Sequence, residues 1–434
     1  MQRIDKNVDQ YRKNKQYNNS KLKTQNSRLK TNTMWEQIRV NKRNSVILLG
    51  LMGAALCGLG FLLGFAFGGG PDAGWIGIFI ATCVWLVMML VSLYGGDQIL
   101  LASSRATPVT EDVHPQLFNI VEEMTIAANL PKMPKIYIIN DPAPNAFATG
   151  RDPQHASVAV TAGLLGKLNR DELQGVIAHE ISHILHRDIL YVTVAGVMLG
   201  AIVLLSQIFF RGMFYSALGG RRYSSRSRGG GGAQALIMIL AIIAAILAPL
   251  FAQILYFSLS RKREYLADAG AVRLTRYPQG LAGALEKIAG TNISMESANK
   301  ATAPMYIANP FRGKKAMNLF STHPPIEERI RILRTMAHGA GYRDYNQAFE
   351  QVTHRGGVIP PSAVKPDEQV GLRQGDASAQ PISPKHSHRQ VGDIMRKVNG
   401  FTFIPCACGL RLKLPPDFKS RTVQCPRCKR THNT

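Results

Sequence analysis

Two histidines four residues apart, with a glutamate directly after the first, stand at His179-Glu180-Ile181-Ser182-His183. On a helix, residues i and i+4 project from one face. Both imidazoles can therefore reach one zinc ion, with Glu180 beside them. That arrangement suits peptide hydrolysis, in which Glu180 takes a proton from a water activated by the metal. The pentapeptide alone does not decide the matter, since chance yields it in on the order of 1% of chains this long. Two histidines and a glutamate on an ordinary amphipathic helix would look the same. A catalytic zinc also needs a third protein ligand and one open position. His186 is near in sequence, but i, i+4 and i+7 stretch over about 10 Å of helix at 1.5 Å per residue. Glu264 is the better candidate. Asp268 lies one turn beyond it on the same face, where it can accept a hydrogen bond from a ligand histidine and fix its ring. The plain alternative for Glu264 is a surface acid paired with Arg261 or Lys262.

A second constellation lies near the C-terminus. Cys406 and Cys408 on one side, Cys425 and Cys428 on the other, bracket a stretch with a Pro415-Pro416 turn. Four thiolates paired in this way make a closed structural zinc site in a small ribbon, although the first pair is C-x-C rather than C-x-x-C. Unligated thiols are the alternative. Cys57 and Cys83 fall in apolar stretches and read as small buried hydrophobes. Basic residues such as Arg411, Lys419 and Arg430 could meet nucleic acid or a protein. The few aromatics, Phe401, Phe403 and Phe418, do not interleave with the charges, so a protein partner is expected and nucleic acid is not.

These groups need elements to hold them. The chain has 434 residues, too many for one compact core. Four stretches without a charged side chain are each long enough to cross a bilayer, which takes about 20 helical residues. They are Ser45 to Gly68, Ala73 to Gly96, Ile189 to Phe210 and Ala233 to Ser258, arranged as two hairpins. The formal net charge is +24, and residues 1–44 form a basic tail directly before the first hairpin. This layout places the tail in the cytoplasm. Two full hairpins would return the rest there too, yet the loop from Arg211 to Gly232 is itself rich in arginine, so the second pair need not cross completely. Between the hairpins, Pro134 to Asn140, Asn145 to Gly150 and Ala156 to Val160 read as strands. Asn169 is a helix cap for the segment that carries His179 and His183, with acids in its first turn. Arg261 to Leu274 and Glu327 to Met336 read as helices. The domain reading is a tail over 1–44, a hairpin over 45–96, the two parts of a soluble domain over 97–188 and 259–345, a hairpin over 189–258 between them, a linker over 346–398 and the ribbon over 399–434. The fold class is therefore mixed: four transmembrane helices in two hairpins, a mainly α domain with a small β-sheet, and a zinc ribbon.

His179-Glu-Ile-Ser-His183, Asn145-Ala-Phe-Ala-Thr-Gly150, Ser260-Arg-Lys-Arg-Glu-Tyr-Leu-Ala-Asp268 and Thr322-His-Pro-Pro325 resemble, in this order, the HtpX-like membrane zinc metallopeptidases. These are gluzincins related to the CAAX prenyl proteases, and the likeness covers Ser45 to Met336. The resemblance implies a zincin-type domain with His179, His183 and Glu264 as zinc ligands, Glu180 as general base and Asp268 supporting a ligand. It also implies that Asn145 and its strand hold substrate backbone and that His323 stabilises the oxyanion. His186 stands where the family would carry Asn, and the ribbon lies outside the family pattern. The implied function is a multi-pass membrane endopeptidase in quality control of membrane or misfolded proteins, with one catalytic zinc, to which the ribbon cysteines add a structural one. The expected location is the bacterial cytoplasmic membrane, and the basic tail with two returning hairpins puts the catalytic domain on the cytoplasmic side. The rival is a non-catalytic membrane adaptor recruiting partners through its ribbon. An intact Glu180 argues against it, because a scaffold needs no base beside a metal.

Overall fold

The computed structural model describes residues 46–65, 71–218, 231–258, 261–299, 302–310, 323–359, 370–375 and 384–433, with Arg43 and Val364 besides. The basic tail and most of the arginine-rich loop fall outside the described residues.

Helix α1 (Val46–Phe65) and helix α2 (Pro71–Ser103) are each long and apolar enough to cross a membrane. They meet through glycine. A Cβ added at Gly77 would sit 2.1 Å from the Gly60 carbonyl oxygen, so no side chain fits where the two backbones touch. Small residues at a crossing give membrane helices the close approach that lipid, being as apolar as they are, does not drive.

A four-stranded sheet follows, from β1 (Ala106–Pro108), β2 (Lys135–Ile139), β3 (Ala146–Gly150) and β4 (Ala156–Thr161), with α3 (Pro115–Ala127) between β1 and β2. The order is β1-β2-β4-β3, with β2 and β4 parallel and the outer pairs antiparallel. The three expected strands are present; β1, only three residues long, was not read. β3 is an edge strand. After the short α4 (Ala162–Lys167), α5 (Arg170–Leu185) runs through the middle of the core, where Val176, Ile177, Ile181 and Ile184 are all fully buried.

Helices α6 (Ile189–Leu218) and α7 (Gly231–Ser258) occupy the third and fourth apolar stretches. Within them, Ile189–Gly200 and Ile242–Ile254 are apolar. The third stretch packs on the sheet near its start. Thr193 Oγ1 lies 2.9 Å from Thr149 Oγ1 in β3, and Val197 packs with Leu100, Phe147 and Tyr306. An adjoining face of α6 packs Val194, Met198 and Ile202 against Leu48 and Met52 of α1. One helix thus joins the apolar bundle to the sheet. Arg211, read as loop, continues α6.

Helices α8 (Arg261–Thr275), α9 (Pro278–Ala289) and α10 (Ile326–Thr335) pack back on the core, with a single 3-10 turn at Ala303–Met305 between the last two. The stretch 346–398, read as a linker, holds most of α11 (Tyr342–Thr353) and all of α12 (Pro384–Val398). α12 docks against α4 because Gly166 has no side chain to hold Val391 away. Ile394 is buried there, and Lys397 donates to the Val113 carbonyl at 3.3 Å. Arg373 ties the preceding segment to Asp171 at 2.8 Å. The ribbon, two hairpins β5 (Thr402–Pro405) with β6 (Arg411–Leu414) and β7 (Thr422–Gln424) with β8 (Thr431–Asn433), is therefore mounted on the domain through α12.

Candidate metal centre

α5 is started by a reciprocal cap. Asn169 Oδ1 accepts from the Glu172 N–H at 2.9 Å, and the Glu172 carboxylate accepts from the Asn169 N–H at 2.8 Å. Such a box satisfies two of the first-turn donors that a helix leaves open. From there every residue from Asp171 to Ser182 is buried. α8 crosses α5 at Gly270, where a Cβ would sit 1.9 Å from Ser182 Oγ. That approach brings Glu264 and Asp268 onto the face that carries the two histidines.

The Nε2 atoms of His179 and His183 lie 3.2 Å apart. Glu264 Oε2 is 3.7 Å from His179 Nε2, and Glu264 Oε1 is 3.8 Å from His183 Nε2. Each histidine has its other nitrogen held by a carboxylate, His179 Nδ1 by Asp268 and His183 Nδ1 by Asp188, both at 2.9 Å. With each Nδ1 turned to a carboxylate, the two Nε2 atoms face one point, an approach that suits a shared proton or a metal ion between them. Zinc bound at about 2.0–2.1 Å to two imidazoles in a tetrahedron sets their nitrogens about 3.3 Å apart. The residues present therefore fit a zinc ion held by His179, His183 and Glu264, with carboxylates orienting both rings. His186 lies outside this group, buried at the end of α5 beside Ser182.

Two residues that sequence reasoning missed complete the site. Asp188 is delivered by the turn after α5, where Arg187 adopts a left-handed φ of 55° and folds the chain back. Arg329 of α10 is 1% exposed and donates through Nε and Nη2 to Asp268 at 2.8 and 2.7 Å, and through Nη1 to Glu264 at 3.3 Å.

Charge follows this wiring. Burial would raise the Glu264 carboxyl, but His323, Arg329 and His183 hold it far below its ordinary value. Burial would likewise raise Asp268, and Arg329 and His179 outweigh it. Burial raises Glu180 to about 8, with His183 opposing and Glu264 adding to the rise. His183 is carried up to about 9 against burial, chiefly by Asp188 and then by Glu264 and Glu180. The ligand carboxylate and its support thus stay ionised, while Glu180 is a strong proton acceptor.

His323 stands beside Glu264, and Asn145 beside the 302–308 segment. His323 Nδ1 lies 3.2 Å from Glu264 Oε2, a contact that steadies the ligand carboxylate. Asn145 is turned inward. Its Nδ2 donates to the Ala308 carbonyl at 2.9 Å and its Oδ1 accepts from the Ala146 N–H at 3.1 Å, so the side chain pins the 302–308 segment to β3. Thr322 of the last motif lies outside the described residues.

In the ribbon, Cys406 Sγ is 3.3 Å from Cys428 Sγ, and Cys408 Sγ is 3.6 Å from Cys425 Sγ. Each pair sits in a tight turn, closed by Gly409 N–H donating to the Cys406 carbonyl and Lys429 N–H to that of Cys425. Four sulfurs so gathered suit one tetrahedral ion.

A family model described as Peptidase family M48 matches residues 111–337. The chain is 46% identical over 308 residues to a protein from Dictyoglomus turgidum (strain DSM 6724 / Z-1310) named Protease HtpX homolog, covering 71% of this chain and 96% of that one. A second Protease HtpX homolog, from Ligilactobacillus salivarius (strain UCC118), is 44% identical over 310 residues, 70% of this chain and 100% of its own. Among solved structures, the crystal structure of S. mikatae Ste24p aligns at 20% identity with a TM-score of 0.33, over 69% of this chain and 66% of that chain, a likeness too slight to argue from.

Proposed function

The chain belongs to peptidase family M48 and is a zinc metallopeptidase, and on that premise we propose that it is a multi-pass membrane endopeptidase acting on membrane or misfolded proteins. The observation that carries the reading is the pair of carboxylate-oriented histidines whose Nε2 atoms stand at zinc-sharing distance beside Glu264 and Glu180. When bound, zinc supplies a Lewis acid that polarises the scissile carbonyl and activates a water. His179, His183 and Glu264 would hold it. Glu180 accepts the proton at its carboxylate and returns it to the leaving amine. Asp268, Asp188 and Arg329 keep the ligands in place through that transfer. Substrate main chain lies along the edge of β3, whose Ala148 borders the cleft with Glu180.

The membrane setting rests on α1, α2 and the embedding of α6 in both the bundle and the sheet. In this reading α6 and α7 complete a second hairpin, and the basic tail and catalytic domain face the cytoplasm of a bacterial cell. The purified full chain in detergent should cut unfolded casein at internal bonds, lose that activity to a chelator and recover it with zinc. Activity indifferent to chelation, or release of terminal residues alone, would sink the proposal.

The ribbon carries the second zinc in this reading, a structural one. Elemental analysis should give two zinc ions per chain. Cys425→Ser with Cys428→Ser should lower the count to one while casein cleavage persists. A count that stays at two would remove these thiols as ligands.

A further inference from the structure

One wall of the cleft carries polar groups that the chemistry above does not use. Asp188 and Arg263 both line it, together with Glu180, His183 and Glu264. Asp188 spends Oδ2 on His183, and its Oδ1 is buried with no hydrogen-bond partner among the described residues. The Arg263 guanidinium lies over the Tyr191 ring at 4.3 Å from its centroid, and its Nε is likewise buried and without a partner. The two side chains do not satisfy each other. A charged donor and a charged acceptor thus stand buried and short of partners on two residues that line one cleft, which is costly unless a guest completes both.

We infer that Arg263 and Asp188 form a main-chain clamp in the cleft, Arg263 Nε donating to a substrate carbonyl and Asp188 Oδ1 accepting from a substrate N–H beside the scissile bond. The inference rests on the metallopeptidase reading and assigns its substrate class. A peptide backbone offers the acceptor and the donor together. A carboxylate side chain would suit Arg263 but meet Asp188, Glu180 and Glu264, while an ammonium would suit those and be repelled by Arg263. The remaining walls, Ile189, Val192, Pro304 and Met305, are apolar. The cleft therefore grips extended chain by its backbone and takes uncharged, apolar residues next to the cut. This is the composition of unfolded or membrane-derived segments, and it needs no sequence motif.

The test uses the full chain in detergent, loaded with zinc, and a fluorescent peptide with apolar residues flanking its cleavage site. Arg263→Met keeps the apolar stem over Tyr191 and removes the donor. Placed in a Glu180→Gln background, where the peptide survives, it should weaken binding about tenfold, the loss of one charge-assisted hydrogen bond. In the Glu180-intact chain it should raise KM by a similar factor with kcat little changed and zinc per chain unchanged. Replacing one amide near the scissile bond by an ester should weaken binding when Arg263 is present and add little in Arg263→Met. Acidic or basic residues at the flanking positions should lower kcat/KM. The clamp is overturned if Arg263→Met loses zinc, if kcat falls with KM unmoved, if every ester position is tolerated alike, which is the result expected of water filling the cleft, or if an acidic flank is preferred. Binding that behaves as stated, with no Glu180-dependent hydrolysis, would leave the clamp standing and remove the peptidase reading instead.

Discussion

Replacing Glu180 by Gln is expected to leave zinc bound and to cut peptide hydrolysis by about 10²–10⁴-fold, the range a positioned acid–base group contributes. The two halves of the result have separate causes. The gathered ligand set is His179, His183 and Glu264, and Glu180 is not part of it, so the metal keeps its partners. Glu180 is 1% exposed, has neither oxygen hydrogen-bonded among the described side chains, and borders the cleft. Burial drives its proton affinity upward. A nearby cation would draw that affinity back toward neutrality, the range in which a base both takes a proton from water and gives it to an amine. Glutamine keeps the shape and loses that ability. The measurement is single-turnover cleavage of casein alongside zinc per chain. Wild-type turnover in the variant would end the mechanism, and zinc loss would mean that Glu180 is a ligand.

Much of this centre was legible in the sequence because helical spacing dictates it. His179 and His183, like Glu264 and Asp268, are four apart, and a helix puts each pair on one face whatever surrounds it. Asn169 as a cap and the β-branched runs around Ile138 and Val158 are equally local signals. Arg329 and Asp188 were not legible, because their roles arise from contacts no local pattern encodes. Arg329 reaches Asp268 from a helix some sixty residues away, and Asp188 reaches His183 through the left-handed turn at Arg187. The bond from Asn145 to Ala308 was not legible for the same reason, since only the fold brings the two together. α12 was missed although it had a signal. Val391, Ile394, Met395 and Val398 fall at i, i+3, i+4 and i+7, an apolar helical stripe hidden by the Pro- and Gly-rich composition before it.

The largest structural consequence belongs to Arg329. Its guanidinium is 1% exposed and makes two bonds to Asp268, one to Glu264 and one to the Ile307 carbonyl at 2.9 Å. Arg329→Met fills the space with an apolar side chain and leaves two buried carboxylates short of their fixed cation. Breaking a buried pair in this way costs about 3–5 kcal/mol. For a domain of this size that corresponds to a fall in Tm on the order of 10 °C. Zinc should then matter more than in the wild type. A dication among His179, His183 and Glu264 offsets part of the negative charge that Arg329 no longer balances, so the difference in Tm between zinc-loaded and chelated protein should widen in the variant. Asp268→Asn alone frees His179 to turn and weakens zinc binding. Combined with Arg329→Met it should cost less than the sum of the two, because the second change removes a charge that the first had stranded. The measurement is thermal unfolding in detergent of wild type, both single variants and the double, each with zinc and with chelator. If Arg329→Met unfolds at the wild-type temperature with its zinc intact, or if the two losses simply add, Arg329 does not hold the metal-binding carboxylates in place and the charge balance of the centre must be sought elsewhere.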